Sequence, residues 1–157
     1  MRGKAFEQDI VDLAASYEKA RVLVLRKVDP PVRMLGQRVL FLRNPFLDFA
    51  GSLTSRNGKA IFVEAKETSD GKLAIKSQNG VTAHQWHMLR VWNCANAITA
   101  VVWHAKPRVY FLPVDWIQAC LTRCERMHIK ETDVPRKFLA RKGDWIKIML
   151  DLLPIWA

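Results

Sequence analysis

Asp48, in Pro45-Phe46-Leu47-Asp48-Phe49-Ala50-Gly51, and the triplet Glu64-Ala65-Lys66 are the residues of this chain best suited to chemistry. An acid followed by a strand bearing acid-x-lysine can hold a divalent cation against a phosphodiester and set an ammonium beside the attacking water. Mg²⁺ and Mn²⁺ prefer oxygen ligands and accept one or two carboxylates plus waters and substrate phosphate. Such an ion polarises the phosphate and stabilises charge on the leaving oxygen. Lys66, flanked by carboxylates, stays protonated and can orient the water or stabilise the transition state. Metal-dependent cleavage of nucleic acid is therefore the first reading to test. An ordinary surface salt bridge among Asp48, Glu64 and Lys66 is the other, because acid-x-lysine also recurs by chance.

The chemistry requires Asp48 and Glu64 on one face of a β-ribbon. Strand side chains alternate, so Glu64 and Lys66 point one way while Ile61, Val63 and Ala65 form an apolar row on the other. Phe49 and Leu53 make the matching row on the preceding strand, with Arg56-Asn57-Gly58-Lys59 as the turn between them. A two-residue Asn57-Gly58 loop sets Asp48 opposite Glu67, on the wrong face. A three-residue loop, Arg56-Asn57-Gly58 with Gly58 left-handed, pairs Ser55 with Lys59. It sets Asp48 opposite Lys66 and diagonal to Glu64, and it aligns the apolar rows; this loop or an equivalent bulge is the expectation.

The remaining elements follow from periodicity. Lys4 to Ala20 carries Phe6, Ile10, Leu13, Ala14 and Tyr17 at helical spacing. Arg21 to Val28 reads as a strand closed by Pro30 and Pro31. Gln37 to Leu42 is a second candidate strand, and Phe46 to Thr54 with Lys59 to Lys66 form the hairpin. A helix is predicted over Val81 to Ala97, strands over Ile98 to His104 and Val109 to Leu112, and a helix over Val114 to Arg126. Trp145 to Leu150 is either a last strand or a helix ending before Pro154. This order predicts an α/β core, a mixed central β-sheet flanked by helices, in a single domain spanning 1–157.

Composition narrows the partners. The chain has 157 residues, is 50% apolar and carries a formal charge of +10, which attracts polyanions. Lysines and arginines recur at Arg21 to Lys27, Arg33 to Arg43, Lys72 to Lys76 and Arg136 to Lys147, a folded basic surface rather than one tail. Lys19, Arg21 and the Arg33 to Arg43 stretch are candidates for phosphate contacts, or are simply solvated. No uninterrupted apolar stretch of about 18 residues and no signal-peptide pattern occur, so no membrane partner and a soluble, intracellular, cytoplasmic chain are expected. Cys94, Cys120 and Cys124 are too few and too odd for a disulfide framework. His84 and His87 lack matching partners, and no zinc is assigned.

Gly3-Lys4-Ala5-Phe6-Glu7, Asp48-Phe49-Ala50-Gly51, Phe62-Val63-Glu64-Ala65-Lys66-Glu67-Thr68 and His84-Gln85 occur in an order that resembles the RecU-like Holliday junction resolvases. These belong, with the archaeal-type resolvases, to the PD-(D/E)XK nuclease superfamily. The resemblance spans about residues 3 to 112 and implies a restriction-endonuclease-like fold, a homodimer, Mg²⁺ or Mn²⁺, and paired nicks across a four-way DNA junction. It makes Asp48, Glu64 and the Ala65 backbone carbonyl metal ligands and Lys66 the catalytic lysine. Glu7 matches the helix glutamate that completes the metal site, and is otherwise a solvated acid near a positive helix end. Gln85 matches a glutamine near the metal; Thr82-Ala83-His84-Gln85 is equally a capping box. Thr68 touches substrate or metal water, or stabilises the turn.

Two departures stand out. No hydroxyl residue precedes Asp48, and the short Asp48-to-Glu64 spacing leaves room only for a tight hairpin. The projecting stalk with which larger members grip the junction must be elsewhere or much reduced. Paired nicks need two equivalent sites, which a two-fold dimer provides. Trp145 and Trp156, in the apolar tail after Val134, are the candidates for the dimer interface. The leading reading is a Holliday junction resolvase of compact, phage or prophage type. A same-fold restriction or repair nuclease on duplex or flap DNA and a non-catalytic DNA-binding module are the alternatives.

Overall fold

The computed structural model describes residues 3–41, 47–54 and 58–153. Helix α1 (Lys4–Lys19) turns Phe6, Ile10 and Ala14 inward, as its spacing predicts. It leads into β1 (Leu23–Lys27), which buries Leu23 and Leu25. A separate ribbon of β2 (Val32–Leu35) and β3 (Arg38–Phe41) follows, and then β4 (Phe49–Leu53) and β5 (Ala60–Thr68). After β6 (Lys72–Ala74) and α2 (Ala83–Cys94), the chain forms β7 (Ile98–Ala105), β8 (Arg108–Pro113), α3 (Val114–Cys124), β9 (His128–Lys130), β10 (Leu139–Ala140) and α4 (Trp145–Asp151).

Six strands form the central sheet in the order β1-β4-β5-β7-β8-β10. The β5–β7 pair is parallel, as a helical crossover demands, and the other pairs are antiparallel. Phe49, Val63, Ala100 and Phe111 line the face covered by α1 and α4; Phe111 stacks on Trp145 at 5.9 Å. Phe62 belongs to the other face, where it stacks on Trp92 of α2 at 4.3 Å. Among the described residues no helix is long and apolar enough to cross a membrane.

Two expectations need correction. The hairpin register differs by one cross-strand step: Phe49 pairs with Val63 and Leu53 N–H bonds the Lys59 carbonyl, which aligns Asp48 with Glu64 rather than Lys66. Thr54 is committed to the other side, its N–H on the Val22 carbonyl and its hydroxyl on the Arg21 carbonyl, so the connection to Gly58 is longer than a tight loop. Because the slip is even, both apolar rows still coincide. Gly58 has the expected left-handed φ of 68°, whereas Arg56 and Asn57 lie outside the described residues. Second, Trp145 is not available to a partner: it is 1% exposed within its own chain, and Trp156 lies outside the described residues. In addition, the segment before Gln37, to which no element was assigned, is a strand, β2, paired with β3 in a ribbon that joins no other sheet. Strands β6, β9 and β10, two or three residues each, are too short to show a period. The tail becomes a helix, because the Asp144 carboxylate accepts the Lys147 N–H at 3.1 Å and caps α4.

Gly51 explains one of the sequence motifs. A Cβ built there would lie 1.9 Å from the Val24 carbonyl oxygen and 2.8 Å from Leu25 Cα, so β1 can pack against β4 only over a bare backbone. Gly51→Ala should therefore destabilise the protein by about 3 kcal/mol or more, which thermal unfolding would read as a Tm lower by roughly 6–12 °C.

Candidate active site

The acids lie at one end of the central sheet, where β4 begins beside β5. Glu64 is 0% exposed. Its Oε1 accepts from Lys66 Nζ at 2.9 Å and from Gln85 Nε2 at 2.5 Å, and its Oε2 accepts from the Asp48 backbone N–H at 3.3 Å. Asp48 Oδ2 in turn accepts from the Ala65 N–H at 3.0 Å. In a β-strand a residue's N–H and C=O leave on the same edge. The Ala65 carbonyl is thus directed to the Asp48 side, beyond the last β4–β5 pair. Asp48, Glu64, Ala65, Lys66 and Gln85 are brought together as expected.

Both readings of Gln85 hold at once. Its N–H donates to Thr82 Oγ1 at 3.2 Å and its Oε1 accepts from the Thr82 N–H at 2.9 Å, which completes the capping box at the start of α2. The other end of the same amide reaches Glu64. Thr68 does otherwise than expected: its hydroxyl accepts from Trp103 Nε1 at 2.9 Å and ties β5 to β7.

Glu7 is not in the cluster. It belongs to α1, on the other face of the sheet, and could approach Asp48 only around the end of the strands. Its Oε2 instead pairs with Lys27 Nζ at 2.6 Å. Among the described residues no three His, Cys, Asp or Glu side chains form a metal-holding group. Lys19 and Arg21 lie at the far end of α1, where the Arg21 carbonyl accepts from the Thr54 hydroxyl at the opposite end of β4 from Asp48. Arg33 and Arg38 project on the β2–β3 ribbon, and Arg43 lies outside the described residues. The Glu7–Lys27 pair was not foreseen; Lys27 shares the face of Leu23 and Leu25 on β1, which is the face that α1 covers.

Electrostatics mark the pair as short of positive charge. Burial first, and the neighbouring Asp48 second, push the Glu64 carboxyl up to about 8, against the opposing pull of Lys66. With its carboxyl held up to about 8, Glu64 keeps a proton near neutral pH. A divalent cation would replace that proton and cancel the repulsion, and the available donors, two carboxylates and a carbonyl, are the hard oxygens that Mg²⁺ and Mn²⁺ accept. The residues present fit such an ion.

The description recombination protein U applies to the family that matches residues 1–154. No curated protein matches the chain. Among solved structures, Hjc from Archaeoglobus fulgidus, described as a Holliday junction resolvase from an archaeal hyperthermophile, is similar at 20% identity and a TM-score of 0.51. The likeness covers 83% of this chain and 89% of that one, and identifies a restriction-endonuclease-like fold.

A shifted Glu64 makes stability pH-dependent. The unfolded chain releases this proton near the ordinary value of 4.5, whereas the folded chain keeps it to about 8. Folding therefore takes up a proton between those limits, and the cation-free protein loses stability as pH rises through that window. In EDTA, Tm should fall from about pH 5 to about pH 8. Glu64→Gln should flatten the slope and raise Tm at pH 8 by about 3 °C or more.

Proposed function

Because the chain belongs to the recombination protein U family, a family of Holliday junction resolvases, we propose that it resolves four-way DNA junctions as a homodimer, by paired symmetric nicks that depend on Mg²⁺ or Mn²⁺. The family membership makes it an endonuclease acting on branched DNA with a divalent metal. The observation that supports this site is the interlocked pair, Asp48 on the Ala65 N–H and Glu64 under both Lys66 and Gln85.

In this reading Asp48, Glu64 and the Ala65 carbonyl hold the ion, with Glu7 as a further ligand from α1. When bound, the ion supplies Lewis-acid polarisation of the scissile phosphate and neutralises the leaving oxygen. Lys66, its side chain 21% exposed, keeps its ammonium beside Glu64 and directs it to the attacking water or to the charge developing on phosphorus. Gln85 orients the Glu64 carboxylate through an amide whose other end is fixed by the helix cap. Each protomer cuts one strand, and two-fold symmetry supplies the second cut.

We assign the β2–β3 ribbon to the place of the reduced stalk. It projects from the core between β1 and β4 and carries Arg33 and Arg38 on one face, with Val32, Met34 and Val39 on the other. We assign the arginine face to junction phosphates; such contacts make binding steeply salt-dependent.

A mobile four-way junction, a linear duplex and a flap incubated side by side with Mg²⁺ or EDTA test this function. Paired nicks on the junction alone, absent in EDTA, are expected. Equal cutting of duplex would indicate a nuclease of other specificity, and no cutting a binding module. Asp48→Asn should reduce cleavage at least about 100-fold while junction affinity is kept or improved, because a negative group near phosphate is gone. Sedimentation equilibrium should report twice the chain mass.

A further inference from the structure

The Glu7–Lys27 pair is unused by the interlocked acids, yet it is wired to them. Lys27 closes β1 opposite Phe49, the residue after Asp48, and the Val28 N–H next to it donates to the Asp48 carbonyl at 2.8 Å. Its ammonium is 2.6 Å from Glu7 and also feels the carboxylates of Asp29 and Asp48. Positive charge thus stands between the α1 carboxylate and the Asp48 end of the site, where the acids are short of it.

We propose that Lys27 is a positioning residue: it holds Glu7 in the cation-free protein and yields it when a divalent cation binds Asp48 and Glu64, which leaves the Lys27 ammonium free for a DNA phosphate. This rests on the metal-dependent reading above. Lys27 and Glu7 are 42% and 27% exposed, and a pair so solvated contributes little to stability, so parting it costs little. A Glu7 carboxylate engaged by an ammonium is withheld from an incoming dication, and the ion must displace that partner to gain the ligand. Linkage then requires that whatever Lys27 takes from cation affinity, the cation takes from the Glu7–Lys27 pair.

Calorimetric titration of Mn²⁺ into DNA-free protein tests the exchange. Lys27→Met keeps the stem and removes the charge; it should bind Mn²⁺ about 3- to 10-fold more tightly, with Tm within a few degrees of wild type. Lys27→Arg, which preserves both charge and pairing, should stay within about twofold. In a Glu7→Gln background the gain from Lys27→Met should shrink below about twofold. Unchanged or weaker Mn²⁺ binding by Lys27→Met, with the wild type binding normally, overturns the role of Lys27 alone. A gain that persists in full without the Glu7 charge overturns the exchange as well, since Lys27 would then act by charge only. A wild-type protein that takes up no Mn²⁺ overturns the metal reading along with it.

Discussion

Glu64 has no contact with solvent, and that single condition organises the end of the sheet around it. An ionised carboxylate removed from water costs several kcal/mol unless its oxygens are occupied by donors or opposite charge. Lys66, two residues on along the same strand, reaches it because strand alternation puts both side chains on one face. Gln85 supplies a second donor from α2, and the Asp48 N–H a third. What this set does not supply is enough charge for two carboxylates. The remaining deficit appears as a Glu64 carboxyl raised to about 8, and burial with that deficit separates this cluster from a surface salt bridge, which would be balanced and exposed.

The same amide that serves Glu64 also starts a helix. Gln85 is the third helical residue of α2, and its Oε1 satisfies the Thr82 N–H that would otherwise be left without a partner. Fixing one end of the amide fixes the direction of the other, so the donor to Glu64 is set by helix capping rather than by a free rotamer. Local sequence rules and site geometry are here one interaction.

The sequence was most readable where period decides structure. The spacing of Phe6, Ile10 and Ala14 placed α1, and the alternation of Ile61 and Val63 against Glu64 and Lys66 placed the acids on a common face. Register was harder. Asn57-Gly58 invites a tight turn, but Thr54 is bonded to the Arg21 and Val22 carbonyls just ahead of β1, a contact more than thirty residues away in the chain that no local rule reveals. Parity survived the difference, because only an odd slip would have moved Phe49 out of the core. Trp145 misled for a related reason: an apolar tail looks the same whether it covers a partner or its own sheet, and only the stacking on Phe111 distinguishes them. The Glu7–Lys27 pair was hidden because it joins a helix to a strand on the face opposite the acids.

Chain connectivity gives the ribbon a meaning beyond its charge. A two-stranded ribbon with Val32, Met34 and Val39 exposed on one face buries little and is marginal by itself. Its base, however, is anchored at the site: β1 ends in Lys27, β4 begins after Asp48, and the bond from Val28 N–H to the Asp48 carbonyl closes the insertion between them. On the β1 side, the entry to the ribbon is thus tied directly to the strand end that carries Asp48. Arg33 and Arg38 therefore stand on an insertion whose entry is bonded to the backbone of Asp48.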